Sequence, residues 1–449
     1  MSKKKRNVRR IAVLGNNNAG KTVFITSLIA NLEHYDPEIL KLGDGWRVVS
    51  AKMTNDEAVN GLNRFPKEFY YRTLVDNGKW PKKTYSASVA CLDIKLKREK
   101  NKWYRRDIVG RKLEIVDIAG ERVADFGMIN RNFRQWSAMT TIQLAGEGID
   151  WNERFKMSGI VAEQDYACEK KVLDVYRDVL VELYKAGANA SMTPSTSRIT
   201  LEGESLDCKQ PDDYRQNLKQ NPVGLSGKEF TPLPEFAFND DKYLVLVRKF
   251  EEAYEDYKKK IVDPVWDWLK GADDVLYLVD VLGILADGVA CYNAEQALAS
   301  SCFSQAVCNA WRTEESILKK GTAWLKAKRA GSHFRRLVVI ATKSDVSSKD
   351  CRGNMKNLAR QLLEKEVVNS CFDQSEYMDC AAICAEQLRE DQYGEVPEKW
   401  DDSWKSGKYK FEFEKPPSTR RSSAKEYRRD IAPKNYQLGA IAKLILDID

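Results

Sequence analysis

Ile11-Ala-Val-Leu-Gly15-Asn-Asn-Asn-Ala-Gly20-Lys21-Thr22-Val-Phe-Ile-Thr-Ser-Leu28 sets a short apolar run against Gly-x-x-x-x-Gly-Lys-Thr, followed by a helix-like pattern. Strand, loop and helix in that order are what a phosphate-binding loop requires. Glycine at positions 15 and 20 permits backbone angles that side chains resist, so consecutive N–H groups can converge on phosphate oxygens at the positive end of the next helix. Gly15, Asn16, Asn17, Asn18, Ala19, Gly20, Lys21, Thr22 and Val23 are therefore expected to surround the phosphates of a nucleotide. Lys21 reaches the β- and γ-phosphates in such a loop, and the Thr22 hydroxyl takes a place on Mg2+. Gly-rich octets also occur in loops by chance, but here the flanking strand and helix are both present.

Two more strand ends bear on the same chemistry. Ser88–Leu96 alternates like a half-buried strand, and Lys112–Asp117 is a second one, joined to it by a polar, basic connection. The second ends in Asp117-Ile-Ala-Gly120-Glu121. Asp-x-x-Gly is a weak signal alone; at a strand end downstream of Gly-Lys-Thr it is placed to sense Mg2+ and the γ-phosphate. Asp117 is expected to orient the metal through water, Gly120 to donate its N–H to the γ-phosphate, and Glu121 to face the attacking water. A carboxylate where Gln would add no charge also repels the phosphate, so intrinsic turnover is expected to be slow. Asp273–Asp280 reads as a buried strand, and Leu337–Ala341 as another that runs into Thr342-Lys343-Ser344-Asp345. A carboxylate at Asp345 can accept both the N1–H and the N2–H of guanine, whereas adenine offers no matching pair of donors. Thr342 and Lys343 complete that element, with Lys343 over the ring plane and bracing the phosphate loop. After Tyr377–Asp379, small residues can offer an N–H to guanine O6. Either Ala381-Ala382 or Cys384-Ala385 fits, and Cys384 and Ala385 are the preferred pair.

The chain has 449 residues, enough for two or three domains or for one carrying a large insertion. Apolar residues make up 43% and aromatics 10%, the composition of a globular protein with a real core. The net charge of +7 is the small difference between 73 basic and 66 acidic residues spread along the chain, so no stable nucleic-acid partner is expected. The basic decapeptide at the N-terminus reads as a solvated tail with at most peripheral membrane contact, and it lacks the apolar stretch of a secretory signal. Ten cysteines show no paired Cys-x-x-Cys spacing and there are two histidines, which argues against structural zinc, a disulfide framework or histidine-based catalysis. Reduced thiols and a cytoplasmic location are the expectation. Residues 36–87 read as irregular structure with short helices, the place where nucleotide-responsive loops sit. Val161–Ala188 and Phe250–Leu269 carry helix-period apolar positions, so 123–270 reads as a helical insertion between a first part of the nucleotide domain, 1–122, and a second, 271–449. Within the second part, helices are expected over about 293–328 and 351–368. A surface excursion over about 386–435, with a small hairpin near Lys408–Glu414, precedes a closing amphipathic helix.

Gly15–Thr22, Trp80-Pro81 with Thr84, Leu113–Asp117 with Gly120-Glu121, Leu278–Asp280, Ala341–Lys343 with Asp345, and Met378–Cys380 occur in an order that resembles the YcjX-like family of bacterial P-loop GTPases. The resemblance implies an α/β fold: a Ras-like P-loop NTPase domain, with a mostly parallel six-stranded sheet covered by helices on both faces. It also implies a large helical insertion after the Asp-x-x-Gly element. GTP and GDP with Mg2+ are the implied ligands, Thr84 joins Thr22 and Asp117 as an implied metal residue, and the family is associated with stress responses. The expected function is a regulatory GTPase that changes shape on hydrolysis and meets a protein effector through its insertion and switch segments. An ATPase or kinase shares the loop but has no use for Thr-Lys-x-Asp. A scaffold that keeps GDP without hydrolysing it is the other alternative.

Overall fold

The computed structural model describes residues 8–16, 18–54, 58–59, 62–75, 79–81, 87–99, 108–118, 120, 124–146, 148–157, 166–185, 222–269, 271–303, 336–368, 372, 374–383, 395–401 and 433–448. Its strands are β1 (Val8–Gly15), β2 (Trp46–Met53), β3 (Ala58–Val59), β4 (Leu62–Arg64), β5 (Ser88–Arg98), β6 (Ile108–Asp117), β7 (Gly224–Leu225), β8 (Lys228–Glu229), β9 (Asp274–Val279), β10 (Arg336–Ala341) and β11 (Gln374–Asp379). β7 and β8 pair with each other; the other nine form one sheet in the order β11, β10, β9, β1, β6, β5, β4, β3, with β2 on β5. β6, β1, β9, β10 and β11 run parallel, and β5 is antiparallel to both β6 and β2.

The central strands are apolar on both faces because both faces are covered, as parallel sheets demand. In β1, Ile11 and Val13 enter one core cluster while Ala12 and Leu14 enter the other. β9 divides the same way, with Leu276 and Leu278 facing one side and Val275, Tyr277 and Val279 the other. The first face packs on α1 (Lys21–Glu33) through Phe24, Ile25 and Leu28, and on the last helix through Leu438, Ile441 and Ile445. α2 (Lys67–Val75) lies beside α1.

The second face receives α3 (Phe133–Gly146), α4 (Trp151–Met157), α5 (Tyr166–Lys185), α6 (Leu244–Tyr257), α7 (Asp263–Leu269), α8 (Val281–Asp287), α9 (Val289–Cys302) and α10 (Arg352–Val368) in one continuous cluster. The last helix, α11 (Leu438–Leu446), belongs to the first face. A π-helical turn, Lys258–Val262, joins α6 directly to α7, so the second helix-period stretch is one rod. Trp136, Phe230 and Tyr254 pack ring against ring inside that layer. Among the described residues no helix is long and apolar enough to cross a membrane.

The structure corrects the sequence reading at three places. The sheet has nine strands where six are expected, because 46–64, read as irregular, supplies β2, β3 and β4. In β2 the pairing slips between Val48 and Ser50, so the buried residues Val48 and Ala51 lose the two-residue period that marks a strand. Two residues of the basic decapeptide, Arg9 and Arg10, belong to β1 instead of a solvated tail, and Arg9 grips the buried Asp274 of β9 at 2.6 and 2.9 Å. The helix expected over about 293–328 begins at Val289, is described to Cys302 and has a separate short helix, α8, in front of it; 304–328 lie outside the described residues. The hairpin near Lys408–Glu414 lies outside the described residues.

Candidate phosphate and guanine site

Parallel strands deliver their C-terminal ends to one edge of a sheet, and ligands of open α/β sheets bind there, where the strand order reverses. That reversal falls at β1: its successor in the core, β6, lies on one side, and β9 on the other. Val13 is in register with Asp117 and Gly15 with Leu278, while Ala341 is in register with both Val279 and Asp379. From β6 to β10 is three inter-strand steps, roughly 14 Å. The loop after β1, Asp117 at the end of β6 and the Thr342–Asp345 element after β10 therefore share one rim.

Gly15 has φ +137°, and a Cβ there would lie 2.3 Å from the Leu278 carbonyl oxygen, so a side chain is excluded by both angle and space. Gly20, at φ +84°, turns the chain into α1, which begins with no side-chain cap; its first-turn amides are the positive end available to an anion. Inside the loop the Ala19 amide donates to the Asn16 carbonyl at 3.3 Å. Lys21 is buried, and its ammonium donates to the Gly15 carbonyl at 2.9 Å and to the Asn16 carbonyl at 2.7 Å. The Thr22 hydroxyl donates to Asp117 Oδ2 at 2.8 Å, which brings together two of the three expected metal residues. A hydroxyl and a carboxylate at a helix N-terminus are oxygen donors of the hard kind that would suit Mg2+.

On the other side, the amide and hydroxyl of Thr342 both donate to the Val279 carbonyl, at 2.9 and 3.2 Å. Lys343 is left-handed at φ 60°, and its ammonium pairs at 2.5 Å with Asp280 Oδ2, at the end of the strand next to β1. The other oxygen of Asp280 accepts from the Gly283 amide and caps α8. Asp345 lies in the short turn Ser344–Val346, partly exposed at the rim. The Cys380 amide donates to the Ala341 carbonyl, and Ser27 of α1 donates to the Ala382 carbonyl, so the segment after β11 is tied to both β10 and the phosphate-loop helix. The Ala381 amide is engaged with the Tyr436 carbonyl at 3.1 Å.

Asn17, Thr84, Glu121, Cys384 and Ala385 lie outside the described residues; Gly120 is described and buried. Of the arginines that follow Gly120 in the chain, Arg134 meets Glu235 at the surface, whereas Arg131 is half-buried with its guanidinium on the Gly127 carbonyl, and burial lowers its pKa.

Sequence reasoning passed over Glu295 and Tyr277. Glu295 of α9 is 1% exposed, and its two oxygens accept from the Asn16 carboxamide and the Tyr277 hydroxyl, both at 2.9 Å. Burial pushes its carboxyl above the usual range, against the pull of those two bonds and of Lys21. The available signals were an acid set among alanines in Asn293-Ala-Glu-Gln-Ala-Leu-Ala299 and a phenol in an otherwise aliphatic strand, since a buried Tyr usually finds a partner.

The model of the YcjX-like family, DUF463, matches residues 9–399. The chain is also similar to the "Ras-like GTPase YcjX" of Escherichia coli (strain K12), at 23% identity over 398 residues covering 84% of this chain and 78% of that protein. Nearly the whole chain, both glycine-rich loop and Thr-Lys-x-Asp element included, thus falls inside that family's match, and the chain belongs to the YcjX-like family.

Proposed function

We propose that the chain binds GTP and GDP with Mg2+ and hydrolyses GTP slowly, using the change in γ-phosphate contacts to alter its shape. The observation that carries this is the convergence on one sheet edge of Lys21, the Thr22–Asp117 pair and the Thr342–Asp345 element. The name of the similar Escherichia coli protein supports it.

Lys21 leaves the Gly15 and Asn16 carbonyls for phosphate oxygens when nucleotide enters, and the loop amides hold the rest of the phosphate chain. Thr22 and Asp117, with Thr84, hold Mg2+, which when bound neutralises charge on the β- and γ-phosphates. Water attacks the γ-phosphorus in line; the new P–O bond forms as the bond to the β-phosphate oxygen breaks, and the water's proton ends on inorganic phosphate. Glu121 orients that water, and Gly120 holds the γ-phosphate until it leaves, releasing the segment that follows. Asp345 selects guanine, and Cys384 and Ala385 contact O6. Helices between 123 and 270 form an insertion in the nucleotide domain and, with the segment after Gly120, meet an effector in a regulatory, stress-related role.

The test is displacement of a fluorescent GDP analogue in the presence of Mg2+. GTP and GDP are expected to compete, with ATP weaker by a hundredfold or more, on the order of what a buried acceptor pair enforces. Equal competition by ATP ends the guanine assignment. Single-turnover hydrolysis by wild type and Glu121→Gln then separates enzyme from scaffold: no phosphate release from wild type removes the hydrolytic step and keeps binding.

A further inference from the structure

Asn16 faces two ways. Its backbone carbonyl accepts from the Lys21 ammonium and the Ala19 amide, so it sets both the resting place of the phosphate-binding lysine and the turn of the loop. Its side chain reaches across to α9, where the Glu295 carboxylate takes its amide proton at 2.9 Å. Glu295 is held from behind by the Tyr277 hydroxyl, which rises from β9, the strand beside β1. Both partners are buried, with Tyr277 at 0% and Glu295 at 1% exposure. A buried carboxyl is tolerated where hydrogen bonds hold it, and here both of its bonds run to the glycine loop and to the strand beside it. α9 also packs on α10 and on the short turn Ala124–Met128 that follows Gly120, which makes it a wall common to both halves of the rim.

We propose that Glu295, backed by Tyr277, is a positioning residue for the phosphate loop: it pins the Asn16 peptide so that the loop amides meet phosphate already in place and Lys21 starts from a fixed point beside them. This rests on the nucleotide assignment above and extends it to residues that do not touch nucleotide. Pre-organisation lowers the cost of binding, so its loss shows first as faster release.

The experiment measures release of a fluorescent GDP analogue from purified full-length protein with Mg2+, together with the melting temperature of each variant. Glu295→Ala is expected to release GDP about tenfold faster, the order of one hydrogen bond to a charged group. Glu295→Gln, which can still accept from Asn16 and donate to the Tyr277 oxygen, is expected to stay within about twofold of wild type, since its hydrogen bonds persist. Tyr277→Phe is expected to be about threefold faster, since Glu295 keeps its bond to Asn16 and loses only the support behind it. Asn16→Ala combined with Glu295→Ala is expected to be no faster than either alone, because the two act as one unit. A folded Glu295→Ala with a lower melting temperature but wild-type release overturns the proposal by reducing Glu295 to a structural residue. Should that variant fail to fold, wild-type release from Tyr277→Phe overturns it equally. Absence of GDP binding by wild type sinks instead the nucleotide assignment beneath it.

Discussion

In the proposed nucleotide site, the Lys21 ammonium, held by two carbonyls within its own loop, is the group that would pass to phosphate. Lys21→Ala is expected to weaken GDP binding by about 1.5–3 kcal/mol, roughly ten- to 150-fold, as loss of charged hydrogen bonds does. Calorimetric titration reads this, and unchanged affinity removes Lys21 from the phosphates. Asp345→Asn replaces one acceptor with a donor, leaving guanine N1–H and N2–H without their full match. GDP affinity is expected to fall about a hundredfold, and xanthosine diphosphate, which carries a carbonyl at that position, to gain relative to it. Fluorescence competition with both nucleotides decides it. The Gly15–Thr22 loop was readable in the sequence because its conformation is dictated locally, by residues able to take φ values that others resist. Glu295 was not, since its partner Asn16 lies 279 positions away.

Among elements, β1 is tied to β9 by Arg9 and Asp274, a pair whose carboxylate is 1% exposed. Removing Arg9 leaves the buried Asp274 carboxylate with only the more distant Arg336 at 3.8 Å, so Arg9→Ala is expected to cost about 3 kcal/mol in denaturant unfolding. Arg134→Ala, at an exposed pair with Glu235, is expected to leave the midpoint unchanged and serves as the control. α2 is held to α1 by Lys67, which meets Glu33 and Glu68, each at 2.9 Å. The bond from Lys67 holds the Glu68 carboxyl below its ordinary value of 4.5. A depressed carboxylate contributes stability above its unfolded pKa and loses it as pH falls through the folded one. Lys67→Met is therefore expected to flatten the loss of melting temperature on acidification below about pH 4.5; an unchanged slope discounts this contact. Long periodic helices such as α5, and the fully buried strands β9 and β10, were legible as patterns. β2 was not, because its slipped pairing breaks the alternation on which strand reading depends.

For the molecule as a whole, the helices from α3 to α10 share one continuous core with a face of the sheet. Unfolding is accordingly expected to be a single transition, with far-ultraviolet dichroism and tryptophan fluorescence coincident. Trp136→Ala, in the helical layer, is expected to lower stability by about 3–5 kcal/mol without splitting that transition. Two separated transitions would mean that the helical layer folds by itself. GDP at a hundred times its dissociation constant is expected to add about 2.7 kcal/mol, visible as a raised melting temperature.

The order of residues by itself determined the glycine turn between β1 and α1, the alternation of strand and helix, and the turn of Thr342–Asp345 at a strand end, because each depends on neighbours within a turn or two of chain. Only the tertiary structure decided that Lys343 meets Asp280, that Arg9 meets Asp274 and that Glu295 stands behind the loop. Those contacts follow from which strands lie side by side, and strand order is set by the burial of two whole sheet faces at once, a property no local stretch contains.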